Sequence, residues 1–94
     1  METLDDQQID DHLSRLADWV RDGPTIVRDL KVADFAAAIE LVDAVAEVAE
    51  QANHHPDILV HAWNRVRLTL STHSAGGLTA ADFALAERIE ALLP

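Results

Sequence analysis

The apolar pattern changes period once, sharply, and this change limits the fold more than any other feature. Across residues 33–52 (ADFAAAIELVDAVAEVAEQA), Phe35, Ile39, Val42, Val45, Ala49 and Ala52 recur every three or four positions. That is the spacing of one helix face. Glu40, Asp43, Glu47 and Glu50 recur on another side. Pro56 then discourages further helix. From residue 57 the chain alternates, with Ile58, Val60 and Ala62, then Val66, Leu68, Leu70 and Thr72 on one face. His61, Arg65, Arg67, Thr69 and Ser71 take the other. This is the period of half-buried strands, and a tight turn near Asn64 joins them as a hairpin.

The flanks extend this plan. Residues 4–17 place Leu4, Ile9, Leu13, Leu16 and Ala17 at loosely helical spacing, with His12 on the exposed side. Trp19-Val20 starts a short extended segment, and Asp22-Gly23-Pro24 signals a turn. Residues 25–32 alternate again, and Arg28, which interrupts the apolar parity, suits an edge strand. Gly76-Gly77 marks a loop. Thr79 and Asp82 then form a T-x-x-D capping pattern before a helix over 80–93, with Phe83 or Leu85, Ala86, Ile89 and Leu93 inward. The order α-β-β-α-β-β-α predicts an α+β fold, a four-stranded antiparallel sheet with helices packed on one face. Residues 1–94 read as a single domain without repeats or linkers.

Composition excludes several function classes. Hydrophobic residues make up 49% but aromatics only 4%, so Ala, Val, Leu and Ile must fill the core. Absence of cysteine removes disulfides and thiolate metal sites. The acidic start, METLDDQQIDDH, does not suit a secretory or transit peptide, and no apolar run approaches 18 residues. A cytoplasmic protein is expected. A net charge of −10 argues against nucleic acid and anionic membranes as partners.

The hairpin also makes a statement about chemistry. With Asn64 and Arg65 as turn residues, Trp63 pairs with Val66, and Pro56 lies opposite His73. Directly opposite Cβ atoms sit about 4.5–5.5 Å apart. His54, His55 and His73 should therefore gather at one end of the hairpin. Glu50 precedes His54 by one helical turn, and Asp82 follows soon after His73. Each also has an ordinary use. Glu50 continues the acidic stripe, Asp82 caps a helix, and a charged His54 suits a helix C-terminus. Trp63 suits packing, and His61 suits the surface. Three neutral imidazoles could also hold zinc.

The spacing Glu50-x3-His54-His55-Pro56-x6-Trp63-x9-His73-x8-Asp82 resembles the signature of the pterin-4a-carbinolamine dehydratases. The segments ADFAAAIELVDAVAEVAEQANHHPD and THSAGGLTAADFALAERIEAL resemble the same family, and the resemblance covers residues 19–93. It implies the same sheet-and-helix fold. It implies assembly as a homodimer through joined sheets, or a homotetramer through the long helix. The implied reaction is dehydration of a 4a-hydroxytetrahydropterin to the quinonoid dihydropterin and water, in tetrahydropterin recycling, with no metal and no cofactor. The resemblance makes His54, His55 and His73 the catalytic set, with His54 and His73 as the acid–base pair and His55 orienting the pterin. Glu50 would orient His54. Asp82 would hold the loop carrying His73, and Glu50, Pro56, Trp63 and Asp82 would join His55 around the substrate. Leu30, Val32 and Leu41 stand where aromatics are expected, and Ser74 where an Asp is common. An alternative is a pterin-binding or coactivator-like interaction protein that keeps the fold without turnover.

Overall fold

The structure, a computed structural model, describes residues 2–93. Helix α1 spans Asp6–Leu13 and opens on a capping box. The Asp5 carboxylate accepts the Gln8 N–H at 2.8 Å, and the Gln8 side chain accepts the Asp5 N–H at 2.9 Å. Strand β1 (Trp19–Asp22) turns through Gly23 (φ 58°) into β2 (Thr25–Lys31). Helix α2 (Phe35–Ala52) follows, capped by Asp34. Then come β3 (Asp57–His61), β4 (Arg65–Leu70), a 3-10 turn at His73–Ala75, and α3 (Ala80–Glu90).

The four strands form one antiparallel sheet in the order β1-β2-β4-β3. Strand β4 lies between β2 and β3, so the α2 connection passes from a central strand to an edge. The inward residues Ile26, Val66, Leu68 and Leu70 pack with Ile9, Ala38, Val45, Phe83, Leu85 and Ile89 from the three helices. The expected α+β architecture, with helices on one face, is what forms.

Four local expectations change. First, β2 is central, not an edge. Arg28 points to the helix-covered face, where its Nε donates to Glu90 at 2.8 Å. Glu90 also accepts the Trp19 indole N–H at 2.8 Å. A paired arginine at the rim of a core avoids the cost of burying a free charge.

Second, the β3–β4 register differs by three positions. Val60, not Trp63, faces Val66, and Ile58 faces Leu68. A one-sided core demands this, because apolar residues of both strands must share a face. A three-residue connection, Ala62 to Asn64, replaces the two-residue turn.

Third, α2 packs through its smallest residues. Ala38, Val45 and Ala49 are buried, whereas Phe35 and Ile39 are 56% and 39% exposed. Alanines let the helix approach the core closely, with Leu41 and Val48 partly buried beside them, which leaves Phe35 and Ile39 outside.

Fourth, His12 is half-buried. Its ring stacks on Phe83, with centroids 4.6 Å apart.

Candidate active site

The helix-to-strand junction is made at Asn53, three residues before Pro56. Asn53 adopts a left-handed conformation (φ 49°), and its N–H bonds to the carbonyls of Ala49 and Glu50. Asparagine tolerates this conformation better than most residues. The His54 N–H returns to the Ala49 carbonyl at 3.1 Å. The chain thus reverses within two residues and carries both histidines away from the helix axis.

On the other side, β4 ends at Leu70 and the chain closes a tight loop. The Thr72 carbonyl accepts the N–H groups of Ala75 and Gly76, each at 3.0 Å. Thr72 and Gly77 form an isolated antiparallel bridge. His73 opens the 3-10 turn held by these bonds and is exposed.

A cleft of about 240 Å³ lies between the two segments, lined by Asn53, His54, His55, Ser71, Thr72, His73 and Ser74. The three histidines expected to gather do so, despite the shifted register. Strand pairing places β3's start against β4's end in either register, so the gathering depended only on antiparallel order.

Beneath the cleft lies Asp82, with no exposed surface. Its Oδ1 is 2.6 Å from His54 Nε2. Its Oδ2 accepts the Thr72 hydroxyl at 2.8 Å and the Thr79 backbone N–H at 2.9 Å. The second of these is half of the capping box that opens α3, as the T-x-x-D pattern predicts.

These contacts set proton positions. A carboxylate only accepts hydrogen bonds. His54 Nε2 therefore carries a hydrogen, and in the neutral ring Nδ1 holds the free lone pair. The Thr72 hydroxyl spends its one proton on Asp82. Its 2.8 Å contact with Thr79 Oγ1 is therefore donated by Thr79.

The acidic partners differ from those expected. Glu50 Oε2 lies 3.1 Å from His55 Nε2, and both side chains are exposed. Glu50 thus pairs with His55, and Asp82 orients His54. The helix ends at Ala52, two residues short of His54, because Asn53 redirects the chain, so Glu50 is not brought under His54. Asp82 does support the loop carrying His73, through Thr72. Having no exposed surface, it sits behind the histidines instead of in the cleft.

Pro56 is half-buried and starts the approach to β3 without lining the cleft. Trp63 lies at the opposite end of the hairpin, 62% exposed, with φ 54°. The five residues of β3 separate it from His55 by on the order of 17 Å, so one chain does not bring it to the histidines. Thr72 was not foreseen. A threonine at a strand end carries no sequence signal, and its role depends on what α3 places opposite it. Among the described residues, no three His, Asp or Glu side chains converge as a metal set would.

Comparisons with known proteins place the whole chain among its relatives. The family model described as "Pterin 4 alpha carbinolamine dehydratase" matches residues 2–92. A Nocardia farcinica relative, named "Putative pterin-4-alpha-carbinolamine dehydratase", is 54% identical over 97% of this chain and 95% of its own. An Acidobacterium capsulatum relative of the same name is 52% identical over 99% and 100%. A crystal structure from Brucella melitensis, titled as a transcriptional coactivator/pterin dehydratase, superposes with a TM-score of 0.92 at 32% identity. That match covers 99% of this chain and 100% of the other. A pterin dehydratase-like protein described as a RuBisCO assembly factor of the alpha-carboxysome superposes at 0.62, with 25% identity over 79% and 84%.

Proposed function

Because the chain belongs to the pterin 4 alpha carbinolamine dehydratase family, we propose that it dehydrates a 4a-hydroxytetrahydropterin by histidine acid–base catalysis, in tetrahydropterin recycling. The observation that carries this reading is the 2.6 Å contact between His54 and the buried Asp82 at the floor of the cleft. In the reaction, the carbon–oxygen bond at C4a breaks and its electron pair leaves with the hydroxyl. That hydroxyl takes a proton and departs as water. The neighbouring ring nitrogen loses a proton, and its electrons form the new double bond to C4a. One proton is given and one is taken, so the pair of catalytic groups ends with their charges exchanged.

His54 suits the base. Asp82 holds its Nε2–H, fixes the ring and stabilises the imidazolium that forms when Nδ1 accepts a proton. His73, exposed and free of a carboxylate partner in the described contacts, suits the acid. His55, held by Glu50, suits orientation of the pterin ring. The cleft is smaller than the ~300–1,000 Å³ usual for ligand pockets, so it suits the reacting bicyclic end and leaves the pterin side chain outside.

The exposed Phe35 and Ile39 on α2, and the open edges at β1 and β3, support a homodimer or homotetramer. The same apolar helix face favours a second reading, an interaction or coactivator-like role.

The test generates the carbinolamine in situ and follows its loss against the uncatalysed rate. Wild-type protein should accelerate the loss, and the His54→Ala/His73→Ala double variant should not. No acceleration by wild type would reject the enzyme reading.

A further inference from the structure

Two halves of the cleft come from segments 16 or more positions apart, and a single residue ties them together. Thr72 is 8% exposed, and each of its polar groups is committed. Its hydroxyl donates to Asp82 Oδ2 at 2.8 Å and accepts from the Thr79 hydroxyl at 2.8 Å. Its carbonyl accepts from Ala75 and Gly76, and its N–H donates to the Gly77 carbonyl at 3.0 Å. The side chain thus reaches the carboxylate that orients His54, while the backbone carries the turn that starts with His73.

We infer that Thr72 is a positioning residue that reserves Asp82 Oδ1 for His54 and sets the spacing between His54 and His73. This inference rests on the proposed dehydratase reading. A carboxylate oxygen has about two acceptor sites, and Thr72 O–H and Thr79 N–H fill those of Oδ2. The remaining oxygen is left for His54, and the full burial of Asp82 keeps water from competing for it. Loss of the Thr72 hydroxyl removes one of these two anchors. The carboxyl torsion is soft, so Asp82 is then free to turn. The Thr79 hydroxyl also loses its acceptor and competes for the carboxylate. His54 would lose its fixed tautomer, and its distance to His73 would no longer be set.

The test compares Thr72→Val, Thr72→Ala and Thr72→Ser. Valine keeps the shape of threonine without the hydroxyl. Alanine removes the hydroxyl without setting a methyl against the carboxylate, so it serves if the valine variant does not fold. Two readouts are taken. One is the steady-state dehydration rate, expected to fall about ten- to a hundredfold in kcat with KM nearly unchanged in the hydroxyl-free variants, and to recover in Thr72→Ser. The other is the His54 tautomer from ring ¹⁵N chemical shifts, which needs no activity. Wild type and Thr72→Ser should show Nε2–H, and the hydroxyl-free variants a mixture with Nδ1–H. A wild-type tautomer in folded hydroxyl-free variants would overturn the inference. Equal loss of kcat in Thr72→Ser would also overturn it. An inactive wild type would reject the enzyme reading alone, since the tautomer comparison still decides the role of Thr72.

Discussion

Asp82→Asn is the most discriminating single change, because the structure dictates how the amide must sit. Thr72 O–H and Thr79 N–H both donate to Oδ2, so the amide oxygen must occupy that position. The amide NH2 then faces His54 Nε2 across the 2.6 Å contact. Two donors cannot share that contact, so His54 must give up its Nε2 hydrogen and carry it on Nδ1. The lone pair needed for proton abstraction is then buried beneath the cleft. Hydrogen bonds to a charged acceptor contribute about 1.5–3 kcal/mol, against about 0.5–1.5 for neutral pairs. Over three contacts the loss is roughly 3–4.5 kcal/mol, partly offset because no charge is buried. A net destabilisation of about 1–3 kcal/mol is expected, with the fold intact. The kinetic effect is larger. General-base catalysis supplies about 10²–10⁴-fold, and the same swap in a Ser-His-Asp triad lowers kcat about 10⁴-fold through the wrong tautomer. A fall in kcat of about 10²–10⁴-fold is therefore expected in the carbinolamine assay, with urea unfolding to measure stability. Ring ¹⁵N shifts should show His54 converted to Nδ1–H. A rate near that of wild type, or a retained Nε2–H signal, would refute the reasoning.

Three further outcomes follow from other parts of the fold. On the open sheet face, Arg67 donates twice to Asp29, at 2.8 and 3.1 Å, and holds its carboxyl below the ordinary value of 3.8. The native value is depressed, so the stability from this pair is present above pH 3.8 and lost as pH falls through the lowered value. Arg67→Ala should thus melt earlier than wild type near neutral pH, with the difference vanishing once pH falls below the lowered value and shrinking in high salt. At the core's rim, Arg28→Ala strands Glu90 beside the Trp19 indole. A loss of about 1–3 kcal/mol in urea unfolding is expected, with most of it recovered when Glu90→Gln is added. At the helix junction, Asn53→Val forces a β-branched residue into a left-handed conformation. It should lower stability by about 1–2 kcal/mol in thermal unfolding, whereas Asn53→Gly should change it little.

Much of the fold was legible because it depends on local periodicity. The three-to-four spacing before Asn53 and the alternation after Asp57 each name an element directly. The capping pattern at Thr79 and Asp82 marks the start of α3 to the residue. Errors arose where a residue's place depends on what lies across from it. Arg28 looked like an edge residue until Glu90 was set beside it. Phe35 and Ile39 share a helix face with Val45 and Ala49, yet only Val45 and Ala49 of these four are buried, joined by Ala38, because close helix packing favours small side chains. The site divides in the same way. That the histidines meet follows from antiparallel order alone, and that Glu50 serves His55 does not.

By itself, the sequence determined the element order, the one-sided core and the convergence of His54, His55 and His73, since these follow from periodicity and chain reversal. The tertiary structure decided which strand is central, the register of β3 on β4, and the pairing of each histidine with its carboxylate. It also supplied Thr72 as the link between the two halves of the cleft. Burial removes water from Asp82, so its hydrogen bonds must be met by whatever the fold brings within 3 Å. That condition acts across space, between residues that have no fixed spacing along the chain.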